Sequence, residues 1–256
     1  VDIRDCTTDS GALDAASVAV SNGKLIVLPT DTVYGIGADA FNPAAVSNLL
    51  DAKGRGRQMP PPVLVGTKET AEALAESLPQ AARDLIAEFW PGALTIIVKA
   101  QPSLAWDLGE TAGTVALRMP DSETALALLQ RTGPLAVSSA NIHAQPAATT
   151  IDEATEMLGQ SVALYLDGGK AGGGVASTIV DVTSEPARIL RQGAIEREKI
   201  AALIELEELP GSTTDEPGSA SDAASGVTEE AGSTASASAE GVSETADTDA
   251  QDPTAP

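Results

Sequence analysis

Lys53-Gly54-Arg55-Gly56-Arg57 places three cations in one short segment of a strongly acidic chain. Arginine holds a phosphate or carboxylate through two parallel hydrogen bonds, while lysine supplies a compact point charge. The interleaved glycines suit a segment fitted closely around an anion, although an exposed basic loop has the same composition. It is not a Walker A loop, because no glycine-rich turn ends in Gly-Lys-Ser/Thr. A second candidate is Pro29-Thr30-Asp31-Thr32-Val33-Tyr34-Gly35-Ile36-Gly37. If extended, it turns Thr30, Thr32 and Tyr34 to one face, offering two hydroxyls and a phenol. Gly35 and Gly37 then permit close backbone approach or an unusual turn. An ordinary strand end with a glycine turn accounts for the same residues, and the spacing is not GxGxxG. Four further segments carry polar groups: Arg118-Met119-Pro120, Ser138-Ser139-Ala140-Asn141, the glycines from Gly168 to Gly174 ahead of Ser177-Thr178, and Arg191-Gln192-Gly193. Each has a bland account as a turn, loop or surface residue.

The elements that must position these groups follow from periodicity and punctuation. Helices are expected at Leu13–Asn22, from Asn42-Pro43 through Leu50, at Glu69–Ser77, Ala81–Phe89, Ser122–Arg131, Thr150–Leu158 and Glu196–Glu208. Thr150 and Glu153 have capping-box spacing. Strands are expected at Lys24–Pro29, Val63–Val65, Leu94–Val98, Thr114–Leu117, Leu135–Ser138, Val162–Leu166 and Thr178–Val182. Alternation of this kind implies an α/β fold with a mixed, twisted sheet.

Composition limits the alternatives. Residues 1–209 hold nearly all the branched apolar and aromatic side chains and suffice for a sizeable core. Residues 210–256 read as a disordered acidic tail: ten of the 37 acidic residues lie from Gly211 onward, with no basic or aromatic residue among them. A net charge of −22 argues against broad phosphate-backbone binding, so any tRNA contact is expected to be weak and local. One cysteine, Cys6, leaves no intrachain disulfide, and one histidine, His143, leaves no histidine zinc cluster and no compelling Ser-His-Asp triad. Val1–Asp9 is unlike a signal peptide, and no apolar run is long enough for a membrane span. A cytoplasmic protein without membrane contact is therefore expected.

Taken in order, seven segments together resemble the Sua5/YciO/YrdC family: Pro29–Gly35, Lys53-Gly54-Arg55, Phe89-Trp90-Pro91-Gly92-Ala93-Leu94-Thr95, Arg118-Met119-Pro120, Ser138–Asn141, Ser177-Thr178-Ile179-Val180-Asp181 and Leu190-Arg191-Gln192-Gly193. The resemblance runs from about residue 10 to 200. It implies a YrdC-like twisted open mixed sheet around a large cationic cavity. It also implies threonylcarbamoyl-AMP synthesis from L-threonine, bicarbonate and ATP with Mg2+, serving a separate threonylcarbamoyl-transfer complex that modifies position 37 of tRNA. By position, Thr32, Arg118, Val137 and Ser177 would bind threonine. Lys53, Arg57, Thr114, Ser139, Asn141 and Arg191 would bind ATP, and Lys53 with Arg55 would stabilise transition-state charge; no protein nucleophile is implied. Two departures stand out. Ile142-His143-Ala144 follows Asn141 in place of a Ser-Gly pair, and Ala147 replaces a serine that contacts ATP in the family, leaving Thr149 and Thr150 as candidate substitutes.

Overall fold

The computed structural model describes residues 1–208; the expected acidic tail lies outside the described residues. In chain order the elements are β1 (Asp2–Asp5), α1 (Ala12–Ser21), β2 (Ile26–Leu28), β3 (Gly35–Asp39), α2 (Pro43–Lys53), β4 (Val63–Leu64), α3 (Lys68–Leu74), α4 (Gln80–Phe89), β5 (Leu94–Lys99), β6 (Thr114–Arg118), α5 (Glu123–Thr132), β7 (Leu135–Ser139), α6 (Ile151–Leu158), a 3-10 turn (Gly159–Ser161), β8 (Leu164–Asp167), β9 (Thr178–Asp181), β10 (Arg188–Arg191) and α7 (Arg197–Ala201). The strands form one sheet in the order β1-β8-β2-β3-β7-β4-β6-β5-β9-β10. Four neighbouring pairs are parallel (β1/β8, β8/β2, β4/β6, β5/β9) and five antiparallel (β2/β3, β3/β7, β7/β4, β6/β5, β9/β10), so the sheet is mixed.

Helix starts are written in the sequence. Asn42 accepts from the Ala45 amide with Pro43 in the first helical turn of α2, and Ser122 does the same for Ala125 in α5. The Thr150–Glu153 capping box forms as expected. Packing then follows side-chain alternation. Ile26, Leu28 and Leu64 join Ala12, Ala16, Leu128 and Leu129 on one side of the sheet. Val27, Ile36 and Tyr165 meet Ala45, Leu49, Ala154 and Leu158 on the other. A third cluster packs α3 and α4 against Val63, Leu94, Ile96, Val98, Val115 and Leu117.

Three expectations change. The helix expected over Glu196–Glu208 shrinks to α7, because the chain after it turns back to pair with Ala187: the Ala187 amide donates to the Glu205 carbonyl at 3.0 Å, and the Glu207 amide to the Ala187 carbonyl at 2.8 Å. Of the close approach or turn expected at Gly35 and Gly37, the turn does not form: both lie in β3, paired with β2 and β7. A Cβ on Gly35 would stand 2.6 Å from Val137 Cγ1, so the small residue lets β7 side chains close over the strand. β1 and β10 escape a hydrophobic-pattern reading because they are charged edge strands, Asp-Ile-Arg-Asp and Arg-Ile-Leu-Arg. No helix among the described residues is long and apolar enough to cross a membrane.

Candidate active site

Strand alternation also builds the site. β5 turns Leu94, Ile96 and Val98 into the core and Thr95 and Ile97 into a cavity; β6 buries Leu117 in the core and turns Thr114, Ala116 and Arg118 toward the cavity. The cavity measures about 520 Å³. Thr30, Thr32, Val137, Ser138, Ser139 and Ser177 complete its polar and backbone wall, and Arg55, Arg118 and Arg191 bring three guanidinium groups to it. No carboxylate among the described residues lines it.

Each arginine is held by its neighbours. Arg118, only 7% exposed, donates from Nη2 to Asp31 Oδ1 at 2.6 Å, from Nη1 to Thr32 Oγ1 at 3.0 Å and from Nε to the Gly92 carbonyl at 3.0 Å. Arg191 donates from Nε and Nη2 to the Ser177 carbonyl at 3.0 and 2.7 Å, and from Nη2 to Ser177 Oγ at 3.0 Å. That approach depends on Gly193, where a Cβ would run into the Ala176 carbonyl oxygen and the Ser177 backbone. Arg55 donates from Nη1 to Ser138 Oγ at 3.0 Å and from Nε to His143 Nδ1 at 3.3 Å. Burial pulls all three guanidinium pKa values downward; for Arg191 the charges of Arg118 and Arg55 add to the effect. A guanidinium remains charged regardless, so the repulsion is relieved by an anion rather than by proton loss.

Of the residues anticipated from sequence, Thr32, Arg55, Thr114, Arg118, Val137, Ser139, Ser177 and Arg191 converge on this cavity. Lys53, Arg57 and Asn141 are not among its lining residues. Lys53 is fully buried, and its Nζ donates to the Ser139 carbonyl, to the Asn141 carbonyl at 2.6 Å and to Asn141 Oδ1 at 3.2 Å. Burial, then the neighbouring Arg55 charge, pushes its pKa down to about 7. Asn141 donates from Nδ2 to the carbonyls of Ile142 and Gln145, so it shapes its own loop. Arg57 turns outward to Asp107 Oδ1 at 2.7 Å.

Tyr34 lines the cavity with Thr30 and Thr32, but its phenol is engaged elsewhere. Thr30 to Tyr34 lies outside the strands, and the phenol donates to the Gly169 carbonyl and accepts from the Gly168 amide at 3.1 Å, tying down the glycine-rich loop. Burial raises its pKa to about 12. Thr149 and Thr150 are committed to Glu153 and the start of α6. His143 is exposed, as expected, but meets Arg55. Thr30, a candidate hydroxyl from the sequence, lines the cavity, and so does Thr95, which the sequence marks only by its place within the Phe89–Thr95 segment.

A family model for Sua5, YciO and YrdC proteins, described as telomere recombination, matches residues 18–193. A Mycobacterium leprae protein provisionally named threonylcarbamoyl-AMP synthase is 51% identical over 203 residues, covering 79% of this chain and 92% of its own. The Bacillus subtilis threonylcarbamoyl-AMP synthase is 38% identical over 208 residues, covering 80% of this chain and 60% of its own. The crystal structure of Pyrococcus abyssi Sua5 complexed with L-threonine superposes with a TM-score of 0.72 at 34% identity, over 76% of this chain and 58% of that one. The chain thus spans under two thirds of these two longer relatives and nearly all of the mycobacterial one. With the family model covering more than half of its length and the fold and motifs in agreement, the chain belongs to the Sua5/YciO/YrdC family.

Proposed function

We propose that the chain is an L-threonylcarbamoyladenylate synthase. L-Threonine and bicarbonate condense to N-carboxythreonine, a carboxylate oxygen of which attacks the α-phosphorus of ATP and expels pyrophosphate. The product supplies a separate complex that places the threonylcarbamoyl group on position 37 of tRNA.

The observation that carries this reading is the cavity itself: three guanidinium groups on its wall, of which only Arg118 has a carboxylate partner, Asp31, among the described residues. The reaction gathers a carboxylate, bicarbonate and a triphosphate in one place. Fixed cations reduce that repulsion and stabilise the charge that builds on phosphorus. Holding three substrates together lowers the barrier further by removing their freedom to diffuse and tumble. Arg118, Thr32, Ser177 and the Val137 backbone form the threonine end of this large, cationic cavity. Arg191, Ser139 and Thr114 face the nucleotide, and Arg55 answers the phosphate charge. Lys53 and Asn141 serve the nucleotide by shaping the Ser138–Asn141 wall, and Arg57 by bracing the neighbouring loop. Among the described residues no group of three or more His, Cys, Asp and Glu could hold a metal ion. Mg2+ arrives on ATP as part of the substrate. Residues 1–209 make up the catalytic domain, with the acidic segment from 210 onward outside the chemistry. The enzyme works in the cytoplasm, with weak direct tRNA contact at most.

The test is pyrophosphate release from Mg·ATP with L-threonine or bicarbonate omitted in turn. Release that needs both, with threonylcarbamoyl-AMP identified by mass, is the expected result. A folded, ATP-binding protein that releases none would defeat the reading.

A further inference from the structure

We propose that Thr30 is a positioning residue that locks the Thr32 hydroxyl as a hydrogen-bond acceptor toward the cavity, so that this wall selects a substrate presenting an N–H or O–H donor. The argument is a count of protons. Thr30 Oγ1 lies 2.6 Å from the Val33 carbonyl oxygen, which can only accept, so the one hydroxyl proton of Thr30 is committed there. Thr30 Oγ1 also accepts from the Thr32 amide at 3.2 Å. It lies 3.0 Å from Thr32 Oγ1, and having no proton left it must accept in that bond too. Thr32 therefore gives its own proton to Thr30. It already accepts from Arg118 Nη1 at 3.0 Å, and Arg118 is fixed on its far side by Asp31. One lone pair of Thr32 remains, on a side chain that is 2% exposed and lines the cavity. A carboxylate oxygen cannot satisfy it; an amine or hydroxyl can. The Thr95–Ser177 pair lacks this constraint, because Thr95 Oγ1 and Ser177 Oγ lie 2.8 Å apart with either able to donate.

This rests on the synthase reading, with the donor being the amine or the side-chain hydroxyl of the amino acid. In the pyrophosphate assay, Thr30→Val frees the Thr32 hydroxyl to rotate and point its proton inward. KM for L-threonine is then expected to rise about tenfold, the equivalent of one hydrogen bond lost at a desolvated site. KM for ATP and kcat should stay near wild type, and Thr30→Ser, which keeps the oxygen, should restore the threonine KM. Inhibition by L-2-aminobutyrate, which lacks the hydroxyl, separates the two sources. Weakening confined to threonine assigns the donor to its hydroxyl, and equal weakening of both assigns it to the amine. A wild-type threonine KM in Thr30→Val, or a Thr30→Ser as impaired as Thr30→Val, overturns the assignment. If the wild-type chain itself shows no threonine-dependent release, the synthase reading fails first and this one with it.

Discussion

Replacing Lys53 by methionine should destabilise the protein by an amount that grows with pH. The substitution keeps much of the volume but leaves the Ser139 carbonyl, the Asn141 carbonyl and Asn141 Oδ1 without their shared donor. A buried acceptor left unpaired costs about 1–3 kcal/mol. Asn141 Oδ1 is held at 3.2 Å and loses least. Removing a buried cation beside Arg55 offsets part of the loss, so a net penalty of about 2–3 kcal/mol is expected at pH 7. With a urea dependence of about 2 kcal/mol per molar, the unfolding midpoint should fall by about 1 M. Lys53 has a native pKa of about 7, below the ordinary lysine value of 10.5. Between these two values the unfolded chain binds the extra proton and the native state does not, so this group's contribution to stability is full above 10.5 and declines as pH falls to about 7. The wild-type protein should therefore gain on Lys53→Met between pH 7 and 9, by at most about 1.4 kcal/mol per pH unit. Urea titrations of both proteins at the two pH values provide the measurement. An unmoved midpoint at pH 7 would show that the three oxygens find other donors. A difference between the proteins that stays constant with pH would show that native Lys53 keeps its proton.

Arg118→Ala should reduce kcat/KM for threonine by more than about a hundredfold, since it removes a charge-assisted contact and leaves Asp31 and Thr32 unanswered. The orphaned Asp31 should also cost about 3 kcal/mol of stability, read by thermal melting. Gly193→Ala should raise KM for ATP with a smaller effect on that for threonine, because the added methyl pushes the Arg191 strand away from Ser177; equal effects on both would refute the proposed role of Arg191. Arg57→Ala should change either KM by less than about threefold, because an exposed ion pair contributes little, and a loss as large as that of Arg118→Ala would place Arg57 on the nucleotide.

The sequence made most of this architecture legible where pattern and punctuation agreed. Asn42-Pro43, Ser122 and the Thr150–Glu153 box marked helix starts, and the run Leu94–Val98 marked a strand that the structure extends to Lys99. The failures have local causes. Gly35 and Gly37 read equally as residues of close approach or of a turn, because only a neighbouring strand, in the form of Val137, decides for close approach. Glu196–Glu208 read as a helix because pairing with Ala187 is set from outside the segment. At the site, residue type located the cations but not their directions. Lys53 and Arg55 are two apart at the end of α2, yet one points into protein and the other into the cavity. Arg57 was separated from both by Asp107, a partner fifty positions away in sequence.

The ion pair between Arg118 and Asp31 gives the cavity an electrical polarity. Arg118 reaches the cavity with a carboxylate already at its back, whereas Arg191 feels the charges of Arg118 and Arg55. An entering anion should therefore gain more from Arg191 and Arg55, which have no carboxylate partner among the described residues, than from Arg118, whose charge is partly neutralised. On the synthase reading, a chain of phosphates should settle against Arg191 and Arg55 and a single carboxylate against Arg118. Once pyrophosphate has left, the adenylate carries much less charge for Arg191 and Arg55 to hold, which should favour its departure over tight retention.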